Sequence, residues 1–410
     1  SMWAVTFVTC FVLARRAQGL RGQAAVYAGE GALHVSEAHS LFTGLSRVLH
    51  HYERVHGQCP TEAWDAYNSG PKSGILVYDG GVAGQGVGNQ FSGMAAAIRL
   101  AMASKRTLLI DMNIGSIGLE DVLPPKPGGP AWNAQKPDCT CSTRWFNFGT
   151  NSPQSAQDLM SKAMDSKQCP VLRHSGNTVG DELGHLLNVK GQIPQLSEAD
   201  INHCMYGFVL DFPRSSNCGP SVQIAGHLRL GDTVMGSGDM SDHRAVLLDA
   251  QYGLGEPEKA AETMVNCMQG IGDHLLEQES MGTTKCQKYR KTCIITLISD
   301  SVSAKTHIIH ELTQQTPLPC SIHVSSTRAV HSAVRAMNKE SVIAMFQDFL
   351  SIRNADYALL THSGFGESAA MMGDVEHSFF EDALQQHGHD MPQAWRQICY
   401  RRSAKLGSKQ

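Results

Sequence analysis

Residues 74–112, GILVYDGGVAGQGVGNQFSGMAAAIRLAMASKRTLLIDM, decide the fold. ILVY is a short apolar run of strand formers, and the glycines that follow it are turn material. Residues 91–103 make an alanine-rich helical stretch, and RTLLIDM returns as a second apolar strand, so the whole reads as one βαβ unit. The glycine loop has part of a dinucleotide fingerprint. Gly84 and Gly86 occupy its first two positions, the third falls on Asn89, and Asp111 ends the second strand. It lacks the GK[ST] ending of a phosphate-binding P-loop. Two readings stay open: a helix N-terminus offering backbone N–H groups to an anion or a hydroxyl-rich ligand, or glycines that only permit a tight turn and close packing.

The same order recurs downstream. SVQIAGHLRL (221–230) is a strand, AVLLDAQY (245–252) and PEKAAETMVNCMQGIGDHLLEQ (257–278) are helical, TCIITLISD (292–300) is a buried strand and 303–314 a helix. SIHV (321–324), SVIAMFQDFLSIRNA (341–355), DYALLTHS (356–363) and GFGESAAMMG (364–373) continue as strand, helix, strand and helix. This alternation predicts mostly parallel sheets covered on both faces, and two such sheets imply a cleft between them. Residues 31–70 read as a helical lead-in with Leu41, Leu45, Val48 and Leu49 on one face, ended by Gly70-Pro71. Residues 113–200 are turn-dense with weak periodicity and predict little. Residues 376–398, with Phe379, Phe380, Leu384 and Trp395, read as a closing amphipathic helix.

Composition narrows the function classes. The 410 residues are 42% hydrophobic and 18% charged, enough for two cores. Lys+Arg (34) nearly balance Asp+Glu (38), so no electropositive face for a nucleic acid is implied. Twelve cysteines without a CxxC pair or a zinc-finger partner lean toward disulfides in an oxidising compartment. WAVTFVTCFVLA (3–14), followed by Arg15 and Arg16, is too short for a membrane span; it suits a signal-peptide core or an ordinary buried strand. HGHD (387–390) forms no metal constellation, and no Gly-x-Ser-x-Gly elbow points to a serine hydrolase.

The most pointed chemistry lies in AGHLRLGD (225–232), where an apolar strand ends in a His, an Arg and an Asp. Such a cluster at the exit of a strand is placed to meet an anion or a hydroxyl. Gly86-Val87-Gly88-Asn89-Gln90 after a strand, HLRLGD, LISDS (297–301) and THSGFGESAA (361–370) come in an order that resembles the fucosyltransferase superfamily of α1,2-, core α1,6- and protein O-fucosyltransferases. The SGFG part is particularly similar to the plant xyloglucan type. The resemblance implies a GT-B fold, α/β, with two Rossmann-like domains whose parallel sheets face a central cleft. It implies a 72–220 acceptor-side domain and a 221–375 nucleotide-sugar domain, flanked by a 1–71 lead-in and a 376–410 closing helix and tail. It further implies GDP-fucose as donor, no metal or other cofactor, a glycan or glycoprotein acceptor, and a secretory, Golgi-lumen setting, with membrane association at most through a removed or short N-terminal segment.

Roles follow residue by residue. A diphosphate leaving without a metal needs fixed positive charge, and Arg229 carries the planar fork that meets phosphate oxygens; its alternative is an ion pair with Asp232. His227 would donate to the nucleotide or fix the loop, or serve as a core histidine. Asp232 would orient Arg229 or act as the base. Asp300 would accept from a guanine edge or cap the following helix, with Ser301 beside it. Ser363, Phe365, Gly366, Glu367 and Ser368 lie at a strand-to-helix junction that supplies donors for phosphate, with Phe365 a wall for sugar or base, and Ser363 alternatively a cap. Gly86, Gly88, Asn89 and Gln90 would reach donor or acceptor from the facing domain. Three positions depart from the family pattern: Leu230 stands where many relatives have a second Arg, Gly86 where the protein O-fucosyltransferases have an Arg, and Ser301 where many have a second acid. They keep two alternatives open, the same fold with another sugar nucleotide, or a nucleotide- or carbohydrate-binding module with weakened turnover.

Overall fold

A computed structural model of the chain describes residues 61–80, 86–114, 117–123, 125–132, 138, 141–146, 153–177, 198–210, 219–230, 256–281, 290–312, 320–325, 339–373, 375–384 and 399, all within one compact unit. The stretch 3–14, the leucine-faced segment 41–49, the helix read at 245–252, Asp232 and HGHD lie outside them.

Helix α1 (Thr61–Ser69) ends as the Gly70-Pro71 signal predicts, with the Gly70 N–H returning to Ala66 O at 3.0 Å. The βαβ unit is β1 (Gly74–Asp79), α2 (Val87–Ser104) and β2 (Arg106–Asp111), the strands parallel with Asp79 opposite Asp111. The inward faces of the strands, Leu76, Tyr78, Leu108 and Ile110, are fully buried. Tyr78 donates from its hydroxyl to Gln90 O at 2.6 Å, which ties β1 to the first turn of the helix. That helix begins at Val87 rather than Phe91, so Gly88, Asn89 and Gln90 are helical and not loop. A helical glycine costs about 1 kcal/mol against alanine, and close packing at Gly88 overrides that propensity.

Residues 113–200, which predicted little, supply a small hairpin of β3 (Asn113–Ile114) and β4 (Ile117–Gly118), then β5 (Ala131–Trp132), β6 (Cys141–Phe146), α3 (Pro153–Met164), β7 (Val171–Asn177) and α4 (Glu198–Val209). The first sheet runs β5-β2-β1-β7-β6, all parallel. Its later strands were illegible because β5 spans two residues and CSTRWF and VLRHSGN have no period of two. Arg106, fully buried, donates to Ala163 O and Cys169 O at 2.7 Å and to Ile75 O and Lys162 O at 3.1 Å. One guanidinium thus closes the last turn of α3 against β1.

The second sheet is built from β8 (Ser221–Leu228), α5 (Pro257–Ser280), β9 (Thr292–Ser299), α6 (Val302–His307) running into a π-turn at Ile308–Leu312, β10 (Cys320–Val324), α7 (Lys339–Arg353), β11 (Tyr357–Leu360), α8 (Gly364–Gly373), β12 (Glu376–Phe379) and α9 (Phe380–Leu384). Its order is β10-β9-β8-β11-β12, again all parallel. The closing helix read at 376–398 is corrected here: its first four residues are an edge strand, with Glu376 opposite Tyr357. The open side of β11 captures EHSF in a ladder, and helix resumes only at Phe380, so this sheet extends past residue 375 to Phe379. Disulfides join Cys141 to Cys169, Cys267 to Cys399 and Cys293 to Cys320, in line with the expectation from the cysteine count.

The two Rossmann-like parallel sheets of the predicted α/β class are therefore both present. In each, the first strand is central and the order reverses beside it, between β1 and β7 and between β8 and β11. The carboxyl ends of strands at such a reversal are where open α/β sheets bind ligands. One apolar cluster runs through both sheets, from Phe91 and Met94 of α2 to Phe349, Leu360 and Ala369.

Candidate functional site

The end of β8 carries His227, Leu228, Arg229 and Leu230 into the reversal point of the second sheet. The backbone there is held from both sides. Arg229 N donates to Thr361 Oγ1 at 2.9 Å, and that hydroxyl donates to His227 O at 3.0 Å, while Thr361 N also donates to His227 O. On the other side Leu230 N donates to Asp300 Oδ1 at 2.8 Å. Arg229 is half-buried at this turn, with its backbone fixed and its side chain at the carboxyl edge. Gly231 and Asp232 lie outside the described residues.

His227 is buried against Phe365, ring centroids 5.4 Å apart, and a methyl on Gly366 would lie 2.9 Å from its Nδ1. Gly366 is thus required by the close approach of α8 to the imidazole. Phe365 also meets Phe349 edge-on at 5.4 Å and is half-buried against the core. Asp300 does not cap α6; Ser301 does, its Oγ accepting from Ala304 N at 3.2 Å. Ser301 is thereby engaged in the cap, and Asp300 in holding the Arg229 turn.

The first turns of α2 and α8 meet. A Cβ on Gly88 would collide with the backbone of Gly364 and Phe365, and Ser368 Oγ donates to Gly88 O at 3.4 Å. The fingerprint-like loop and SGFG, far apart in sequence, are therefore neighbours, with Asn89 Oδ1 3.5 Å from where a Gly364 side chain would begin. Gly86 occupies the N-cap of α2 and no side chain caps that end. Ser363 precedes α8, 3% exposed, and its Oγ has no hydrogen-bond partner; Gln90, 4% exposed, is likewise unpartnered at Oε1. A buried polar atom left unpaired costs about 1–3 kcal/mol, and these two belong to residues at the N-terminal ends of α8 and α2.

At the reversal point of the first sheet, Arg173 Nε donates to Asp79 Oδ2 at 2.8 Å. Neither this pair nor Thr361 was singled out from the sequence. Thr361 lies two residues before the SGFG junction, but its partnership with Arg229 depends on Leu360 lying opposite His227, a register that spacing does not reveal. Among the described residues, no group of three or more His, Cys, Asp or Glu side chains is arranged to hold a metal, and no helix is long and apolar enough to cross a membrane.

No protein-family model and no curated protein matches the chain. Solved structures do. A mutant of Arabidopsis thaliana FUT1 in complex with GDP is similar at 12% identity and a TM-score of 0.43, over 82% of this chain and 79% of that one. POFUT1 in complex with GDP-fucose is similar at 14% identity and a TM-score of 0.37, over 76% and 99%. The fucosyltransferase NodZ from Bradyrhizobium is similar at 12% identity and a TM-score of 0.35, over 72% and 92%.

Proposed function

We propose that this chain is an inverting glycosyltransferase that moves fucose from GDP-fucose to a hydroxyl of a glycan or glycoprotein. The observation that carries the reading is the junction of α2 and α8, where two helix N-termini from separate sheets meet at Gly88 and Gly364, each helix end carrying a buried polar atom without a partner, Gln90 Oε1 and Ser363 Oγ. The acceptor oxygen attacks the anomeric carbon from the face opposite the nucleotide. As the bond from that carbon to the β-phosphate oxygen breaks, its electron pair passes to the phosphate, and Arg229 neutralises the charge that develops. Asp232 orients the guanidinium or takes the acceptor's proton. His227 shapes the Arg229 turn, Ser363 and the N-terminal amides of α8 meet phosphate, and Asn89 reaches the sugar from α2. The reaction draws on the donor and these side chains, with no metal. The disulfides among the described residues support an oxidising compartment, which we assign to the Golgi lumen.

Thermal shift with a panel of sugar nucleotides tests the donor. A ligand at a hundred times its Kd stabilises by about 2.7 kcal/mol, so GDP compounds should raise the melting temperature and UDP compounds should not. The reverse pattern moves the reading to another sugar nucleotide. Stabilisation by GDP-fucose without slow donor hydrolysis moves it to a binding module.

A further inference from the structure

Thr361 does not figure in the mechanism above, yet its single hydroxyl joins the strands on either side of the switch point. It is 0% exposed and immediately follows β11. Its Oγ1 accepts from Arg229 N at 2.9 Å and donates to His227 O at 3.0 Å. Residues at the exit of a strand have no further ladder to bond to, and their amides must find other acceptors. For Arg229 that acceptor is a hydroxyl, and for Leu230 it is Asp300 Oδ1 at 2.8 Å. Two successive amides beyond β8 are thus fixed from the two neighbouring strands, one from β11 and one from β9.

The support behind each partner differs. Asp300 lies at the mouth of α6, and Lys305, buried one turn into that helix, points back toward the helix N-terminus as helical side chains do. Burial lowers the pKa of Lys305, and the nearby carboxylates of Asp348 and Asp300 oppose that shift. Asp348 in turn accepts from Ser325 Oγ at 2.6 Å at the end of β10. The Asp300 side of the turn is therefore braced by charge. On the Thr361 side the Arg229 amide is held by one hydroxyl, which a one-atom change can remove while the bond from Thr361 N to His227 O stays.

We propose that Thr361 is a positioning residue that latches the backbone of Arg229 so that its guanidinium faces the departing diphosphate. The inference rests on the donor reading given above, and it adds a residue that the reading does not contain. A residue with β-branching but no hydroxyl leaves the shape of the site intact and cuts both hydrogen bonds, so Thr361→Val separates the latch from packing. Thr361→Ser restores the hydroxyl.

The test compares wild type, Thr361→Val, Thr361→Ser, Arg229→Ala and the double variant carrying Thr361→Val and Arg229→Ala. Amide exchange at Arg229, melting temperature, and the Kd for GDP by calorimetry are read for each. Thr361→Val should raise exchange at the Arg229 amide roughly tenfold and weaken GDP roughly fivefold, the size of one lost hydrogen bond. Thr361→Ser should return both to within about twofold. On the Arg229→Ala background, Thr361→Val should leave the GDP affinity unchanged within about twofold, because the residue it positions is gone. A fivefold loss that persists there, or wild-type exchange at Arg229 in Thr361→Val, overturns the proposal. If wild type binds no GDP compound at all, the donor reading fails by itself, and the exchange comparison still decides whether Thr361 holds Arg229.

Discussion

Gly88 and Gly364 meet backbone to backbone where the first turns of α2 and α8 cross, and a Cβ on Gly88 would overlap Gly364 C, so no side chain fits at Gly88. The contact joins a helix that follows the first strand of one sheet to a helix that follows the fourth strand in sequence of the other. Because both sides are main chain, neither can turn aside as a rotamer would.

Gly88→Ala should therefore destabilise the protein by about 3 kcal/mol, at the upper end for overpacking, although alanine is the better helix former. Gly207→Ala is the internal comparison. Gly207 lies exposed in α4 with nothing within 4 Å of an added Cβ, so the same change there should stabilise by up to about 1 kcal/mol. Urea unfolding of the two variants reads the contrast, and a Gly88→Ala midpoint at or above wild type would show that the helices can part without cost.

Arg229 is half-buried, and its role depends on geometry more than on charge. Arg229→Ala should lower donor hydrolysis on the order of a hundredfold or more, as removal of a preorganised group at a developing charge does. Arg229→Lys keeps the charge and loses the planar fork, so it should recover only part of that, remaining about tenfold or more below wild type. Both should unfold within about 0.5 kcal/mol of wild type. Hydrolysis by Arg229→Ala at the wild-type rate would remove this residue from the mechanism.

The sequence showed the βαβ unit and most of the second sheet, because ILVY, TCIITLIS and YALL are apolar runs between strong turn signals. It also put His227 and Arg229 at the end of one such run and Ser363 after another, which is where they lie. What it did not show are the facts set by register and packing. VLRHSGN has its central place beside β1 through pairing with Ile75–Asp79, not through any pattern of its own. EHSF is a strand because β11 leaves an open edge. Gly88 reads as a loop glycine and Gly364 as the start of a separate helix until the two helices cross. Thr361 and Asp300 read as strand-end polar residues, and only the placement of β8 between β9 and β11 makes them partners of one turn.

Arg106 gives a test of buried polar satisfaction. Its guanidinium serves four carbonyls at 3.1 Å or closer, two of them, Lys162 O and Ala163 O, in the last turn of α3, where carbonyls lack helical partners. Arg106→Met fills a similar volume and leaves these oxygens unpaired, so it should cost about 3–5 kcal/mol. Arg106→Lys has three donors in place of five and should fall between. If chemical denaturation gives Arg106→Met the stability of wild type, water or backbone shifts satisfy those carbonyls and the guanidinium is dispensable.

His174 sets how the fold responds to acid. The ring is fully buried in β7, its centroid 6.4 Å from that of Tyr78, and burial lowers its pKa from the ordinary 6.5 to about 4. The folded protein thus holds the neutral ring where the unfolded chain would already take a proton. The resulting stability is present in full above the unfolded value and is lost as pH falls from about 6.5 through about 4. A gap of that size corresponds to about 3 kcal/mol at most. His174→Gln has a side chain of similar reach that does not titrate, so its unfolding free energy should decline less steeply over that interval, by up to the same amount. The difference between the two curves from pH 7 to pH 4 isolates the imidazole, because every other titrating group is shared. Parallel curves would mean that His174 is already reached by solvent protons in the folded state, and that β7 is not sealed beneath α2.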